Sequence, residues 1–235
     1  MSIVSAAVCP HPPLLVPAVA TGAAHELDDL RTACLAAIDQ LTAAHPDRLV
    51  IIGSGPHSGT RYAADAAGTF APYGAPAVRV GATPQSAEQL LPLSLLVGTW
   101  LVAQSKAASL PRTAVTVAAD ETPTTCAELG RELAAGNDRV ALLVMGDGSA
   151  RRSEHSPVHL HPRAELFDST VAAALDLADC VTLAALDPDL ATELYAAGRA
   201  PWQVLAGAAA SADLQGALTY HAAPYGVGYL VALWT

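Results

Sequence analysis

Short apolar segments that end in polar, glycine- or proline-rich loops alternate with amphipathic segments, and this alternation limits the chain to few folds. The clearest apolar segments are IVSAAVC at residues 3–9, RLVIIG at 48–53 and RVALLVM at 139–145. Each is continuously apolar, which is typical of strands covered on both faces. Residues 23–44 place apolar side chains at steps of three and four, which predicts a helix between the first two strands. The alternation therefore predicts an α/β fold with a mainly parallel central sheet and helices on both faces.

The rest of the chain continues the same alternation. We predict further strands at residues 114–118, 217–220 and 227–234, the last two as a hairpin or as edge strands. Further helices are predicted at residues 86–108, 122–133, 164–177, 189–197 and 201–210. Residues 54–81 are rich in glycine and proline and are predicted to be mostly loop, with a short strand near 78–80. Because no linker, repeat or low-complexity segment interrupts the chain, residues 1–235 are predicted to form one domain.

Composition excludes several classes of protein. Of the 235 residues, 52% are hydrophobic and 14% are charged, a balance that excludes a mainly disordered chain. The formal net charge is −10 and Lys106 is the only lysine, so the chain lacks the basic cluster that nucleic acid or anionic membrane requires. The longest apolar stretch, residues 90–103, contains Pro92 and is shorter than the roughly 20 residues that span a bilayer. We therefore expect no nucleic-acid partner and no membrane span.

Other features of the composition bear on compartment and assembly. The N-terminal residues carry no basic segment, and Pro10, Pro12 and Pro13 interrupt their apolar stretch, so we predict no signal peptide. The four cysteines include no C-x-x-C pair, which predicts reduced thiols and a cytoplasmic protein. The high apolar content predicts exposed apolar area, and hence a homo-oligomer.

Polar residues follow three of the predicted strands at the points where the strands end. His11 follows the first strand in a proline-rich loop, His57 follows the second in GSGPHS, and Asp147 follows RVALLVM in GDGS. If these strands are parallel, the three loops open on one edge of the sheet, where α/β folds bind ligands. Two imidazoles and a carboxylate at one edge are suited to a divalent metal or to proton transfer. We therefore predict a site made of His11, His57 and Asp147 that either binds a divalent metal or transfers protons.

Each of these residues also has an ordinary structural explanation. A single loop histidine is usually solvated or hydrogen-bonded, and an aspartate in a G-D-G turn often accepts backbone N–H bonds. The identity of a third metal ligand is left open among Glu193, His155, His159 and His161. The sequence contains no G-x-S-x-G elbow, no phosphate-binding G-x-x-x-x-G-K-[ST] loop and no H-E-x-x-H motif.

The motifs HPPLLVP at residues 11–17 and SGPHS at 54–58 resemble those of the class III extradiol ring-cleavage dioxygenase superfamily. This superfamily includes the catalytic subunit of protocatechuate 4,5-dioxygenase and the Memo-like proteins. GDGS at 146–149, AGRAP at 197–201 and YGVGY at 225–229 follow in the same order, so the resemblance spans nearly the whole chain. It implies an α/β domain similar to the catalytic subunit of the class III extradiol dioxygenases.

The resemblance also implies a chemistry. His11 and His57 would be two ligands of Fe(II) or another divalent metal, and the activity would be oxidative ring cleavage of a small catecholic substrate. Two positions depart from the superfamily's pattern. Ala150 stands where an acid/base or ligand histidine is usual, and Ala197 stands where the dioxygenases have a glutamate and the Memo-like proteins a cysteine. The alternative is therefore a Memo-like binding or scaffold protein that keeps the pocket without ring-cleavage activity.

Overall fold

The structure, a computed structural model, describes residues 3–82 and 90–235. Its strands are β1 (Ile3–Cys9), β2 (Arg48–Ser54), β3 (Arg61–Tyr62), β4 (Gly68–Phe70), β5 (Ala75–Val80), β6 (Arg112–Val117), β7 (Val140–Met145), β8 (Gly216–Ala222) and β9 (Tyr229–Trp234). Its α-helices are α1 (Pro17–Ala20), α2 (Asp28–Leu41), α3 (Leu93–Val102), α4 (Pro123–Ala134), α5 (Ala164–Asp176), α6 (Cys180–Ala184), α7 (Pro188–Glu193) and α8 (Arg199–Ala209). None of the helices in this described part is long and apolar enough to cross a membrane.

Seven of the strands form one sheet, in the order β3-β6-β2-β7-β1-β9-β8, and β4 pairs with β5 in a separate hairpin. The four neighbouring strands β6, β2, β7 and β1 run parallel to one another. Strands β3, β9 and β8 are antiparallel to their neighbours. The sheet is therefore mixed, and the prediction of a mainly parallel sheet is wrong in this respect.

The antiparallel part of the sheet follows from short connections. Two parallel strands need a crossover of roughly a dozen residues or more, such as the one through α2 that joins β1 to β2. The connection between β8 and β9, residues 223–228, is too short for a crossover, so these strands form a hairpin. Strand β9 then pairs with the edge of β1 that the parallel strands leave open. The parallel centre still directs four strand ends to one edge of the sheet.

Helices cover both faces of the sheet, as predicted. Alternate residues of the central strands divide the core: Val50 and Ile52 pack with α4, α5 and α8 on one face. Leu49 and Ile51 pack with α2 and α3 on the other face. Complete burial of a Leu, Ile or Val side chain stabilises the fold by about 1.5–3 kcal/mol. Because both faces are covered, the strands are continuously apolar rather than alternating.

Several predicted elements differ in extent from the observed ones. The predicted helix at residues 23–44 is α-helical only over α2, because Thr21–Leu27 forms a 3-10 turn. The predicted loop at residues 54–81 contains the β4–β5 hairpin. Helix α3 begins after Pro92, and residues 86–89 of the predicted helix lie outside the described residues. The sequence does not predict α6, since five residues are too few to show hydrophobic periodicity.

Candidate functional site

His11 and Asp147 lie in contact at the edge of the sheet where the parallel strands end. The backbone N–H of His11 donates a 2.7 Å hydrogen bond to Asp147 Oδ1, and His11 Nδ1 lies 3.6 Å from the same oxygen. Only 8% of the His11 side chain and 16% of the Asp147 side chain are exposed. The structure thus brings two of the three predicted site residues together as a largely buried imidazole–carboxylate pair.

This pair occupies the kind of position at which open α/β sheets bind ligands. Strands β1 and β7 are parallel neighbours. The chain leaves β1 toward α2 on one face of the sheet and leaves β7 toward α5 on the opposite face. Such a divergence opens a crevice beyond the carboxyl ends of the two strands. His11 and Asp147 come from the two loops that border this crevice.

The two ring nitrogens of His11 have different surroundings. Nδ1 is fully enclosed and has no hydrogen-bond partner among the described residues. Nε2 also makes no hydrogen bond within that part of the chain, but it is not fully enclosed, so it faces the open side of the pair. The distance of 3.6 Å between His11 Nδ1 and Asp147 Oδ1 is longer than a hydrogen bond. A carboxylate beside Nδ1 still favours the tautomer with its proton there, which leaves Nε2 free to bind a metal or accept a proton.

Hydrogen bonds fix the backbone around Asp147. The Asp147 carbonyl accepts from the Gly198 N–H at 2.8 Å, and the Gly148 N–H donates to the Gly228 carbonyl at 2.7 Å. A Cβ atom on Gly148 would lie 2.6 Å from a carboxylate oxygen of Asp168, so the close approach of Asp168 requires glycine here. The loop after β7 therefore holds the Asp147 carboxylate in place before a ligand binds.

Asp168 is a buried carboxylate on α5 that anchors this loop. Its Oδ1 accepts the Ser149 N–H at 2.8 Å, and its Oδ2 accepts from Arg152 Nη1 at 2.8 Å. The side chain has no exposed surface. Burial raises the pKa of Asp168, because desolvation opposes the ionised form more than these partners favour it. Sequence reasoning missed this ion pair, since no local pattern signals that Asp168 turns inward.

His57 lies in an exposed loop that is attached to β6. Thr116 Oγ1 donates to the His57 carbonyl at 2.7 Å, and Ser58 Oγ donates to Glu121 Oε2 at 2.6 Å. Strand β6 adjoins β2 on the side away from β7. The backbone of His57 is thus held on the far side of β2 from the His11–Asp147 pair, and no direct contact joins His57 to that pair.

The hydrogen bond between Ser58 and Glu121 is predicted to depend on pH. The hydrogen bond from Ser58 lowers the pKa of Glu121, and the Thr122 N–H adds to this effect. A lowered pKa in the folded state means that the link is fully present above the ordinary glutamate pKa of about 4.3. It is lost as the pH falls through the lowered value.

We expect Ser58→Ala to return the pKa of Glu121 toward its ordinary value. The Ala118 N–H, which donates to Ser58 Oγ at 2.9 Å, should lose its protection from hydrogen exchange. Titration of the Glu121 carboxyl carbon by NMR, with amide exchange at Ala118, measures both effects. The exposed serine Ser211 gives a control variant, Ser211→Ala. An unchanged Glu121 titration in Ser58→Ala would contradict the prediction.

The other candidate ligands lie apart from the pair. Glu193 Oε1 lies 3.0 Å from His161 Nε2, and the same carboxylate forms an ion pair with Arg163. His155 and His159 are exposed in the loop before α5. Within residues 3–82 and 90–235, no group of three or more His, Cys, Asp or Glu side chains is placed to hold a metal ion.

The two alanines at which the sequence departs from the superfamily lie near the backbone of the site. The Ala150 N–H donates to the Leu194 carbonyl at 3.0 Å. Ala197 precedes Gly198, which binds the Asp147 carbonyl. Ala197 also lines a cavity of about 330 Å³ with Ala119, Tyr195 and residues of α7.

Tyr229 is a site residue that sequence reasoning missed. It begins β9, the antiparallel neighbour of β1, and its ring is buried in the core beneath α2 and α3. Burial raises its pKa, and the negative charge of Asp147 adds to the effect. The sequence predicts a strand here but contains no signal for its register against β1. Only the hydrogen bond from Gly148 to Gly228, the residue before Tyr229, brings Tyr229 to the loop of Asp147, and this contact cannot be read from the sequence.

Comparison with known proteins supports the fold alone. No family model matches the chain, and no curated protein matches it in sequence. Among solved structures, the chain is similar to the uncharacterized protein JW3007 from Escherichia coli K12, with a TM-score of 0.54 and 13% sequence identity. The similarity covers 98% of this chain and 99% of that chain. At this identity the likeness concerns the α/β architecture and does not extend to an activity.

Proposed function

We propose that the chain is a non-haem metal-dependent oxidoreductase of the class III extradiol type that acts on a small catecholic molecule. In this proposal His11 and His57 bind Fe(II) or another divalent metal, and Asp147 orients His11. The observation that supports it best is the contact between His11 and Asp147. It pairs a buried imidazole, whose outer nitrogen is free, with a carboxylate at the point where the sheet diverges.

The surroundings of His11 fit a metal-binding imidazole. A ligating histidine almost always directs its second ring nitrogen at a carboxylate, a carbonyl or water. His11 Nδ1 faces Asp147 and has no other partner among the described residues. To add a second nitrogen, the exposed side chain of His57 would have to reach across the end of β2 from its loop on β6. A bound ion would hold a catechol and dioxygen side by side for ring cleavage.

The chain's own residues supply orientation and control of protons. The Asp147 carboxylate lies beside Nδ1 and orients the His11 ring so that Nε2 is left for a ligand. Because Asp147 Oδ1 also accepts the His11 backbone N–H, ring and carboxylate are held in one arrangement. Hydrogen bonds from Gly198 and to Gly228 hold the loop after β7. The loop therefore needs little rearrangement when a ligand binds.

Metal analysis of purified variants tests this function. Wild-type protein is loaded anaerobically with Fe(II), desalted and assayed for iron by elemental analysis. We expect His11→Ala and His57→Ala to lose the bound iron. Asp147→Asn should weaken binding by about 10–100-fold, because it removes the carboxylate that orients His11.

The exposed loop residue His155 gives the matched control for this experiment. His155→Ala should retain iron at the wild-type level, since this side chain lies outside the proposed ligand set. Iron content that is unchanged in both His11→Ala and His57→Ala would rule the metal site out. Thermal unfolding of each variant separates loss of iron from loss of folding.

The contacts of Glu193 favour a second candidate, a Memo-like binding or scaffold protein without ring-cleavage activity. Glu193 is the acidic residue near the position of the superfamily's late glutamate, and it is engaged by His161 and Arg163. The residue at the position of that late glutamate is Ala197. An imidazole pair without a carboxylate ligand would bind a metal weakly and would leave the pocket to a small molecule.

An oxygenation assay separates the two candidates. The iron-loaded protein is mixed with several catechols without oxygen and then exposed to air, and ring opening is followed by absorbance. Ring opening by the wild-type protein and its loss in His11→Ala would support the dioxygenase. Bound iron without ring opening would support the Memo-like candidate.

A further inference from the structure

Hydrogen bonds between the loop after β7 and the start of β9 place a third polar side chain near the His11–Asp147 pair. We propose that Tyr229 is a ligand-binding residue of the His11–Asp147 site, and that its phenol O–H donates a hydrogen bond to an oxygen atom of the bound molecule. The inference rests on the proposed function, because it concerns the same site. It adds a residue that neither the motifs nor the predicted ligand set includes.

Hydrogen bonds link the three residues into one row. The His11 N–H donates to the Asp147 carboxylate at 2.7 Å. The next residue after Asp147, Gly148, donates its N–H to the Gly228 carbonyl at 2.7 Å, and Gly228 directly precedes Tyr229. The loop that carries Asp147 is therefore bonded to the start of β9, beyond the last paired residues of β1.

The row also lies on one face of the sheet. Cys9 and Met145, each two residues before the site residue of its strand, lie in the core beneath α2 and α3. Tyr229 belongs to the same core. Because side chains alternate between faces along a strand, His11, Asp147 and Tyr229 share the face that α2 and α3 cover.

The hydroxyl of Tyr229 is available to a ligand. Only 3% of the residue is exposed, yet its hydroxyl forms no hydrogen bond with any described residue. The fully enclosed polar side-chain atoms without a partner in the same residues are His11 Nδ1, Arg199 Nε and Trp202 Nε1. The Tyr229 hydroxyl is not among them, so it retains an open side. Buried tyrosine hydroxyls usually find a partner, and an unpartnered one close to the Asp147 carboxylate indicates that a ligand supplies it.

The chemistry of the row limits what that ligand presents. Burial and the Asp147 carboxylate both favour the neutral phenol, so Tyr229 is a donor at neutral pH. His11 Nε2 is the other free polar atom of the row. The ligand is therefore a small molecule with an acceptor oxygen directed at Tyr229, such as a carbonyl, carboxylate or phenolate oxygen. A hydrogen bond from a neutral donor to such an oxygen stabilises its anionic form.

Binding of 4-nitrocatechol tests the role of Tyr229. The absorbance of this probe changes when a hydroxyl ionises, so one titration gives its dissociation constant and its apparent pKa when bound. We expect Tyr229→Phe to weaken binding by about ten-fold or more and to raise the pKa of the bound probe. Tyr225 donates to Glu26 Oε2 at 2.7 Å and so has its own partner, which makes Tyr225→Phe the matched control. This control should bind the probe as the wild-type protein does.

A variant of His11 distinguishes failure of this inference from failure of the proposed function. If His11→Ala weakens binding while Tyr229→Phe leaves both the affinity and the pKa of the probe unchanged, the role of Tyr229 is overturned and the site survives. If Tyr229→Phe has the expected effects and His11→Ala has none, the proposed function fails and the role of Tyr229 stands. Absence of binding by the wild-type protein would overturn both. A lower thermal stability of Tyr229→Phe with an unchanged probe spectrum would assign Tyr229 a purely structural role.

Discussion

Replacement of Asp168 by alanine is expected to lower the free energy of unfolding by about 3–5 kcal/mol. The substitution removes the buried acceptor of both Arg152 and the Ser149 N–H. The Arg152 side chain is only 15% exposed, so it would lose its close partner with little water to replace it and would keep only the longer contact, 3.9 Å, to the exposed Glu165 carboxylate. Removing one member of a buried pair costs much more than the pair itself contributes, because the remaining charge stays desolvated.

Urea unfolding at pH 7 measures this effect, with the exposed pair Arg48–Asp138 as its control. Asp138 keeps 62% of its side-chain surface exposed, and Arg48 keeps 29%. We expect Asp138→Ala to change the free energy of unfolding by less than about 1 kcal/mol, since water screens exposed ion pairs. Equal effects of the two substitutions would contradict the anchoring role assigned to Asp168.

Replacement of Gly130 by alanine is expected to destabilise the fold by about 2–3 kcal/mol. Helices α4 and α8 cross where glycines face each other. A Cβ atom on Gly130 would collide with the carbonyl oxygen of Val204 and would lie 2.6 Å from the nitrogen of Ala208. Both are backbone atoms of α8, so no side chain can rotate away and the helices would have to separate.

Thermal and urea unfolding of Gly130→Ala test this close crossing. Gly22 provides the control, because a Cβ atom there would meet nothing within 4 Å. Gly22→Ala should be neutral or slightly stabilising, since alanine restricts the unfolded chain more than glycine does. Wild-type stability in Gly130→Ala would show that the two helices can move apart at little cost.

The central strands are predictable from the sequence, whereas their neighbours are not. VALLVM is continuously apolar because β7 is buried on both faces, and GDGS marks where it ends. The β-branched and aromatic residues of YLVALW predict a strand equally well. Nothing in those residues specifies that β9 pairs with β1 and runs antiparallel to it, because that choice depends on which edge the rest of the sheet leaves open.

The candidate site is predictable to the extent that it depends on strand ends. His11 and Asp147 can be identified because each follows an apolar strand, and they meet because β1 and β7 are adjacent. The attachment of the His57 loop to β6 depends on the hydrogen bond from Thr116 to the carbonyl of His57, two residues that lie 59 positions apart in the chain. No local pattern encodes a contact at that distance, and the same applies to Tyr229.

The position of β1 in the sheet has a consequence for how the chain acquires its structure during translation. Ile3 pairs with Val140, and Val8 pairs with Ala232, so both neighbours of β1 leave the ribosome long after β1 does. Until then its apolar residues have no partner strand on either side. Such distant pairing slows folding and exposes aggregation-prone segments to other nascent chains. We therefore expect synthesis of this protein in cells to depend on chaperones that shield its first strand.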